Sequence, residues 1–152
     1  MRSLTLKACV IAALMTIAGA SQARAALANT VQFTTTFPFT VGKADVPAGT
    51  YTVRPLENGA RALELTRSRG GVGVFFIVND IESRDPAKQT EVVFRHYRDG
   101  YVLKDIRVEG DTAGVEAVPT REEKHREARH ETGAELRVAA TRVMQNVKQV
   151  GE

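Results

Sequence analysis

Cysteine is almost missing from this chain, and the one present, Cys9, lies inside a segment that reads as a removable leader. Past that segment no thiol is left to form a disulfide, to ligate zinc or to act as a nucleophile. Cys9 stands at the start of an apolar run, after Leu6-Lys7-Ala8, and not just behind it where a lipid-anchored cysteine belongs. Tryptophan is absent and aromatic residues make up only 6%, so a core must be built from Phe, Val, Ile, Leu and Tyr. No apolar run reaches the roughly 20 residues needed to span a bilayer as a helix. Serine is scarce beyond the leader. Ser68 and Ser83 are not set in Gly-x-Ser-x-Gly, which argues against serine hydrolase chemistry.

What is present begins with the leader. Arg2 and Lys7 form a basic head, Ala8 to Ala20 is apolar, and Ala23-Arg24-Ala25 supplies the small-x-small pattern of a signal-peptidase site. The expected cut lies between Ala25 and Ala26, with Ala18-Gly19-Ala20 as an alternative earlier site. The expectation is export, to the periplasm or the medium. The net charge of +3 belongs to this leader, because Arg2, Lys7 and Arg24 are unopposed there and the remaining 18 basic residues face 18 acidic ones. A neutral mature chain lacks the basic footprint of a nucleic-acid or anionic-membrane binder. About 127 residues remain, enough for one ordinary domain.

Residues 26–118 read as short strands between turn signals. Val31, Phe33, Thr35 and Phe37 alternate with Gln32, Thr34 and Thr36, the period of a half-buried strand. Pro38 interrupts it, and Phe39-Thr40-Val41 resumes. Val46-Pro47-Ala48-Gly49 suits a type I turn and Asn58-Gly59 a hairpin; between them lies the strand Thr50 to Leu56. Leu63 and Leu65 oppose Ala62, Glu64 and Thr66 in the next strand, and Arg69-Gly70-Gly71 turns into Val72 to Val78. That strand is continuously apolar from Val74 and is expected to be buried on both faces. Asn79 to Thr90 reads as the longest loop. Glu91 to Tyr97 and Tyr101 to Val108 form a hairpin with two open registers: a two-residue Asp99-Gly100 loop, which opposes Arg95 and Lys104, or a three-residue loop pairing Tyr97 with Tyr101 and Val92 with Ile106. The second avoids facing like charges and is the expected one. Val115 to Val118 is a further short strand.

The character changes over residues 119–152. Thr120 and Glu123 have capping-box spacing, and Glu122 and Arg126 form an i,i+4 pair on a polar, solvated helix over residues 121–131. Beyond Gly133, Leu136, Ala140, Val143, Val147 and Val150 recur at spacings of 4, 3, 4 and 3, which predicts an amphipathic helix. Leu136, Val143, Val147 and Val150 are its candidate partner-facing stripe. It would cover the sheet over Val72 to Val78, lie on a surface, or pair weakly with a second copy or another partner. The expected architecture is mainly β: a small antiparallel sandwich or up-and-down barrel of six to eight strands with a C-terminal α-helix.

Phe37-Pro38-Phe39-Thr40-Val41-Gly42, Pro47-Ala48-Gly49-Thr50-Tyr51-Thr52-Val53, and Val93-Phe94 with Tyr97, Asp99, Tyr101, Leu103 and Ile106 resemble a family of small exported bacterial proteins of acidobacteria-like soil bacteria. Their pattern is FxFxVG…PAGTYxV…vFxxYgdxYfLxxI, followed by an LPxSxxE segment to which Val118-Pro119-Thr120-Arg121-Glu122-Glu123 corresponds with threonine for serine. The resemblance covers roughly residues 31–123. It implies export and supplies no catalytic, cofactor or metal residues. The long Arg- and Glu-rich C-terminal segment departs from it.

Residues with chemical potential are few. His125 and His130 are five apart on the polar helix, whereas two histidines on one helical face are three or four apart. His96 sits in a strand with no acid or nucleophile singled out beside it. Asp80, Glu82 and Asp85 lie in the expected loop without a glycine-punctuated calcium pattern. Gly70-Gly71-Val72-Gly73 lacks the Lys-Ser/Thr and the helix of a phosphate loop. An outer-membrane barrel is disfavoured by strands shorter than about 9–11 residues with charges on both faces. The expected function is a non-catalytic envelope or secreted binding module, acting on a protein or envelope component, with no cofactor or metal. The competing expectation is a metal-dependent or hydrolytic enzyme using His96 or the acidic loop 80–85.

Overall fold

The alternation at the start of the domain becomes β1 (Thr30–Thr35) in the computed structural model, which describes residues 29–56, 61–71 and 73–143. Val31, Phe33 and Thr35 are buried while Gln32 and Thr34 are exposed. The chain continues through β2 (Phe39–Val41), β3 (Ala44–Val46), β4 (Gly49–Pro55), β5 (Ala62–Arg67), β6 (Val74–Glu82), β7 (Glu91–Tyr97), β8 (Gly100–Arg107), β9 (Ala113–Ala117), α1 (Arg121–Ala128) and β10 (Ala134–Val143). The Pro47 turn between β3 and β4 is tied by the Tyr51 hydroxyl, which donates to the Pro47 carbonyl at 2.5 Å. Asn58-Gly59 and Val72 lie outside the described residues, as do the expected leader with Ala25 and Ala26, and Val147 and Val150.

Eight strands form a closed antiparallel barrel in the order β7–β10–β1–β4–β5–β6–β9–β8, sealed by the pairing of β8 with β9 and of β8 with β7. Closure removes the exposed edges that an open sheet would present. β2 adds outside the ring, parallel to β8, and β3 pairs with β2. Successive strands are neighbours within β4–β5–β6 and within β7–β8–β9. Between the two triplets the connection 83–90 carries the chain past β9 and β8, so the up-and-down order holds inside each triplet but not across the whole ring.

The interior is filled with side chains. Phe33, Phe39, Tyr51 and Phe94 are buried against one another, with ring centroids 6.1 Å apart for Phe33–Phe39 and 5.1 Å for Phe39–Phe94. Phe37 meets Phe94 edge-on at 5.3 Å and lies 4.0 Å from Tyr101. Leu63, Leu65, Val53, Val78, Val92, Leu103, Ile106 and Val115 complete the core. Each fully buried large apolar side chain contributes about 1.5–3 kcal/mol, which is how a domain with no described disulfide holds together.

Four expectations need correcting. Residues 134–143 are a strand and not a helix; among the described residues the only helix is α1. The segment carries two periods at once, because Leu136, Val138 and Ala140 also fall every second residue. The strand period prevails because β1 and β7 would otherwise each keep a bare edge; β10 pairs Leu136 with Phe94 and Val138 with Val92, then Thr141 with Gln32. Secondly, β6 is buried on one face only: Phe76 and Val78 point inward, while Phe75 and Ile77 are 62% and 64% exposed. Thirdly, Asn79 to Glu82 extend β6 and pair with β9, so the loop spans only 83–90. Lastly, the β7–β8 hairpin turns at Arg98-Asp99 with Tyr97 opposite Gly100, and one extra residue at Lys104 then restores the expected pairing of Val92 with Ile106. This bulge keeps both Leu103 and Ile106 inside and leaves Lys104 and Asp105 together on the outer wall.

Candidate functional site

The outer wall of β8, β7 and β10 carries a belt of paired charges, in which that bulge sets Lys104 and Asp105 side by side. Lys104 ion-pairs with Glu135 of β10 across β7 and lies 3.7 Å from the Asp105 carboxylate. Asp105, almost fully buried, accepts two bonds from Arg107 at 3.1 and 3.4 Å. Glu135 sits 3.6 Å from Arg137, and Arg137 donates to the buried Glu91 at 2.6 Å. The Lys104 hydrogen bond holds the Glu135 carboxyl below its ordinary range, and the Asp105 carboxylate holds the Arg107 guanidinium charged more firmly than usual. Val93, outward by the parity of β7, is fully buried among these residues. Each cation in the belt has its carboxylate, so the belt organises the wall and offers little free charge to a ligand.

At one end of the belt the 83–90 connection roofs a cleft of about 580 Å³ lined by Asp85, Lys88, Glu91, Arg107, Asp111 and Arg137 among others. Ser83 accepts from Arg107 at 3.5 Å, and Gln89 donates to Glu91 at 3.4 Å. Cations and carboxylates are balanced here too. At the other end, α1 lies against the β7–β8 hairpin. Its capping box is complete, with Glu123 N–H donating to Thr120 Oγ1 at 3.3 Å and Thr120 N–H to Glu123 Oε2 at 2.8 Å. The helix buries no residue. It is held by Arg126, which grips Asp99 through two 2.6 Å bonds, reaches Glu122 at 3.0 Å and covers the Tyr97 ring at 4.8 Å, and by an ion pair of Glu127 with Arg95. The Arg126 bonds lower the Asp99 pKa, and the same bonds raise that of Arg126.

A third feature is apolar. Phe75 and Ile77 stand side by side on the outer face of β6, opposite Glu64 and Ala62 of β5. Around them Arg54 pairs with Glu64 at 2.5 Å and Arg61 lies 3.8 Å from Asp80.

The residues singled out in the sequence are dispersed. Leu136 and Val143 are 37% and 38% exposed and fall on opposite faces of β10, so they form no stripe. His96 is exposed, and its ring stacks on Tyr101 at 4.3 Å, with no acid among the described residues paired to it. His125 lies on α1, and His130 just beyond it in a left-handed conformation with φ 57°. Asp80 and Glu82 are strand residues, opposite Val115 and Ala113, and only Asp85 of the three lines the cleft. Among the described residues no group of three or more His, Cys, Asp or Glu is placed to hold a metal ion, and no helix is long and apolar enough to cross a membrane.

Two features escaped the sequence. The belt becomes legible once residues 134–143 are taken as a strand, because Glu135 and Arg137 then alternate with Leu136 and Val138. For Phe75 and Ile77 no local signal exists, since Val74 to Val78 is apolar at every position. Comparison of the chain with protein-family models, curated proteins and solved structures returned no match.

Proposed function

We propose that this chain is an exported, non-catalytic module of the cell envelope or the secreted fraction that binds a protein partner through its outer wall. The observation that carries this reading is the Phe75–Ile77 pair, exposed at the centre of a β5–β6 face whose rim holds Arg54, Glu64, Arg61 and Asp80. An apolar centre inside a polar rim of both signs has the anatomy of a protein interface. A lipid surface would instead favour a basic rim. An aromatic-filled interior with charges outside also reverses the polarity of a membrane-spanning barrel. Export rests on the leader and on the resemblance described above.

The test is site-specific photo-crosslinking in the producing cell, with the probe at Ile77 or, in the β2–β3 turn outside the ring, at the exposed Lys43. One discrete protein adduct is expected from Ile77 and none from Lys43, and Phe75→Ser should abolish it without lowering Tm. Equal adducts from both positions, or an adduct indifferent to Phe75→Ser, would refute the reading. Cell fractionation tests export separately: retention of the full-length chain in the cytoplasm would exclude it.

A further inference from the structure

The segment that closes the barrel is joined to it in an unusual way. β10 inserts between β1 and β7, yet of its residues only Val138 and Ala140 are packed against the core, and both are only partly buried. Its attachment is the backbone ladder to both neighbours and the outward ion pairs of Glu135 with Lys104 and of Arg137 with Glu91. The preceding helix α1 buries nothing and is fastened to the hairpin by Arg126–Asp99, Glu127–Arg95 and the Tyr97 ring. Residues 118–133, stretched out, reach on the order of 50 Å, farther than the width of a barrel of this size.

From this we infer that β10 is an exchangeable strand, and that its slot between β1 and β7 is an interaction surface for the β10 of a second copy of this chain. The charges specify that occupant. A strand entering the slot must present a carboxylate to Lys104 and, two residues on, a cation to Glu91, while Arg142 must reach the Glu109 carbonyl at 3.0 Å. β10 of another copy reproduces all of these contacts, so the exchanged and closed forms differ only in the 118–133 connection. Identical contacts with a changed linker are the thermodynamic basis of domain swapping. The Arg126–Asp99 clasp opposes exchange by holding α1 on its own barrel.

Gln32 and Thr141 are exposed and directly opposite one another across β1 and β10. In chains carrying Cys9→Ser, a Gln32→Cys chain is mixed with a Thr141→Cys chain at about millimolar concentration, warmed briefly and oxidised. The mixed disulfide between positions 32 and 141 is expected several-fold above either homodisulfide, and above the same experiment with Lys124→Cys in place of Thr141→Cys. Asp99→Asn should raise its yield further. Independently, the unmodified chain treated in the same way should show a dimer by light scattering that persists on dilution. A mixed disulfide no more abundant than the Lys124→Cys control overturns the inference, and so does a light-scattering mass that stays monomeric at every concentration.

Discussion

Thr35 shows how one atom can be out of keeping with its surroundings. It lies on the inner face of β1, 3% exposed, and its hydroxyl has no hydrogen-bond partner among the described residues. An unmatched buried hydroxyl costs on the order of 1–3 kcal/mol. Thr35→Val keeps the shape and removes the polar atom, so it should raise the unfolding free energy by about 1 kcal/mol, read from the urea midpoint at unchanged m-value. Gly114 is the opposite case. A Cβ there would stand 2.9 Å from the Ile106 carbonyl of the neighbouring strand, across the seam that closes the ring. Gly114→Ala should therefore destabilise by about 1–3 kcal/mol, the scale of overpacking. The same denaturation curve measures it, and an unchanged midpoint would mean that β8 and β9 separate freely at this point.

At the scale of elements, α1 and β10 depend on ion pairs more than on buried surface. Asp99 and Glu135 both have carboxyl pKa values lowered in the fold, by hydrogen bonds from Arg126 and Lys104 respectively. A lowered folded pKa contributes stability that is complete above the unfolded value, about 4 for such groups, and is lost as pH falls through the folded value. Amide-exchange protection of residues 121–143 is thus expected to fall on acidification below about pH 4 before that of β4 to β6 does. Asp99→Asn with Glu135→Gln should flatten this dependence by lowering protection at neutral pH. Because both carboxylates are near the surface, added salt should blunt the effect. Most strands were legible from the sequence, since turn residues such as Pro47-Ala48-Gly49 and Arg69-Gly70-Gly71 bracket runs of period two. The helix at residues 121–128 was legible because Thr120 and Glu123 can satisfy each other with no tertiary help. β10 was not, because Leu136, Ala140 and Val143 satisfy the helical period while Leu136, Val138 and Ala140 satisfy that of a strand. Only the presence of two unpaired neighbours decides between them. The exposure of Phe75 was illegible for a related reason: a uniformly apolar run does not say which of its faces has a covering layer.

Taken whole, the molecule is a barrel with a packed interior, unlike the wider or emptier barrels that carry small ligands. Phe94 touches Phe33, Phe37 and Phe39 at its centre. Phe94→Ala should cost about 3–5 kcal/mol, measured by chemical denaturation. It should also leave an apolar void that takes up a small apolar solute such as benzene, detectable by NMR shift changes, while the unaltered chain shows no saturable uptake. The order of the ring has a consequence in time as well as in space. Thr30 and Val143 are direct partners, so the barrel closes on its own beginning. A chain made from its N-terminus must hold β1 with one side unmatched through the synthesis of every intervening strand. The event that completes the wall therefore waits until β10 has been made, and a chain that stops short of it lacks the strand that seals the ring.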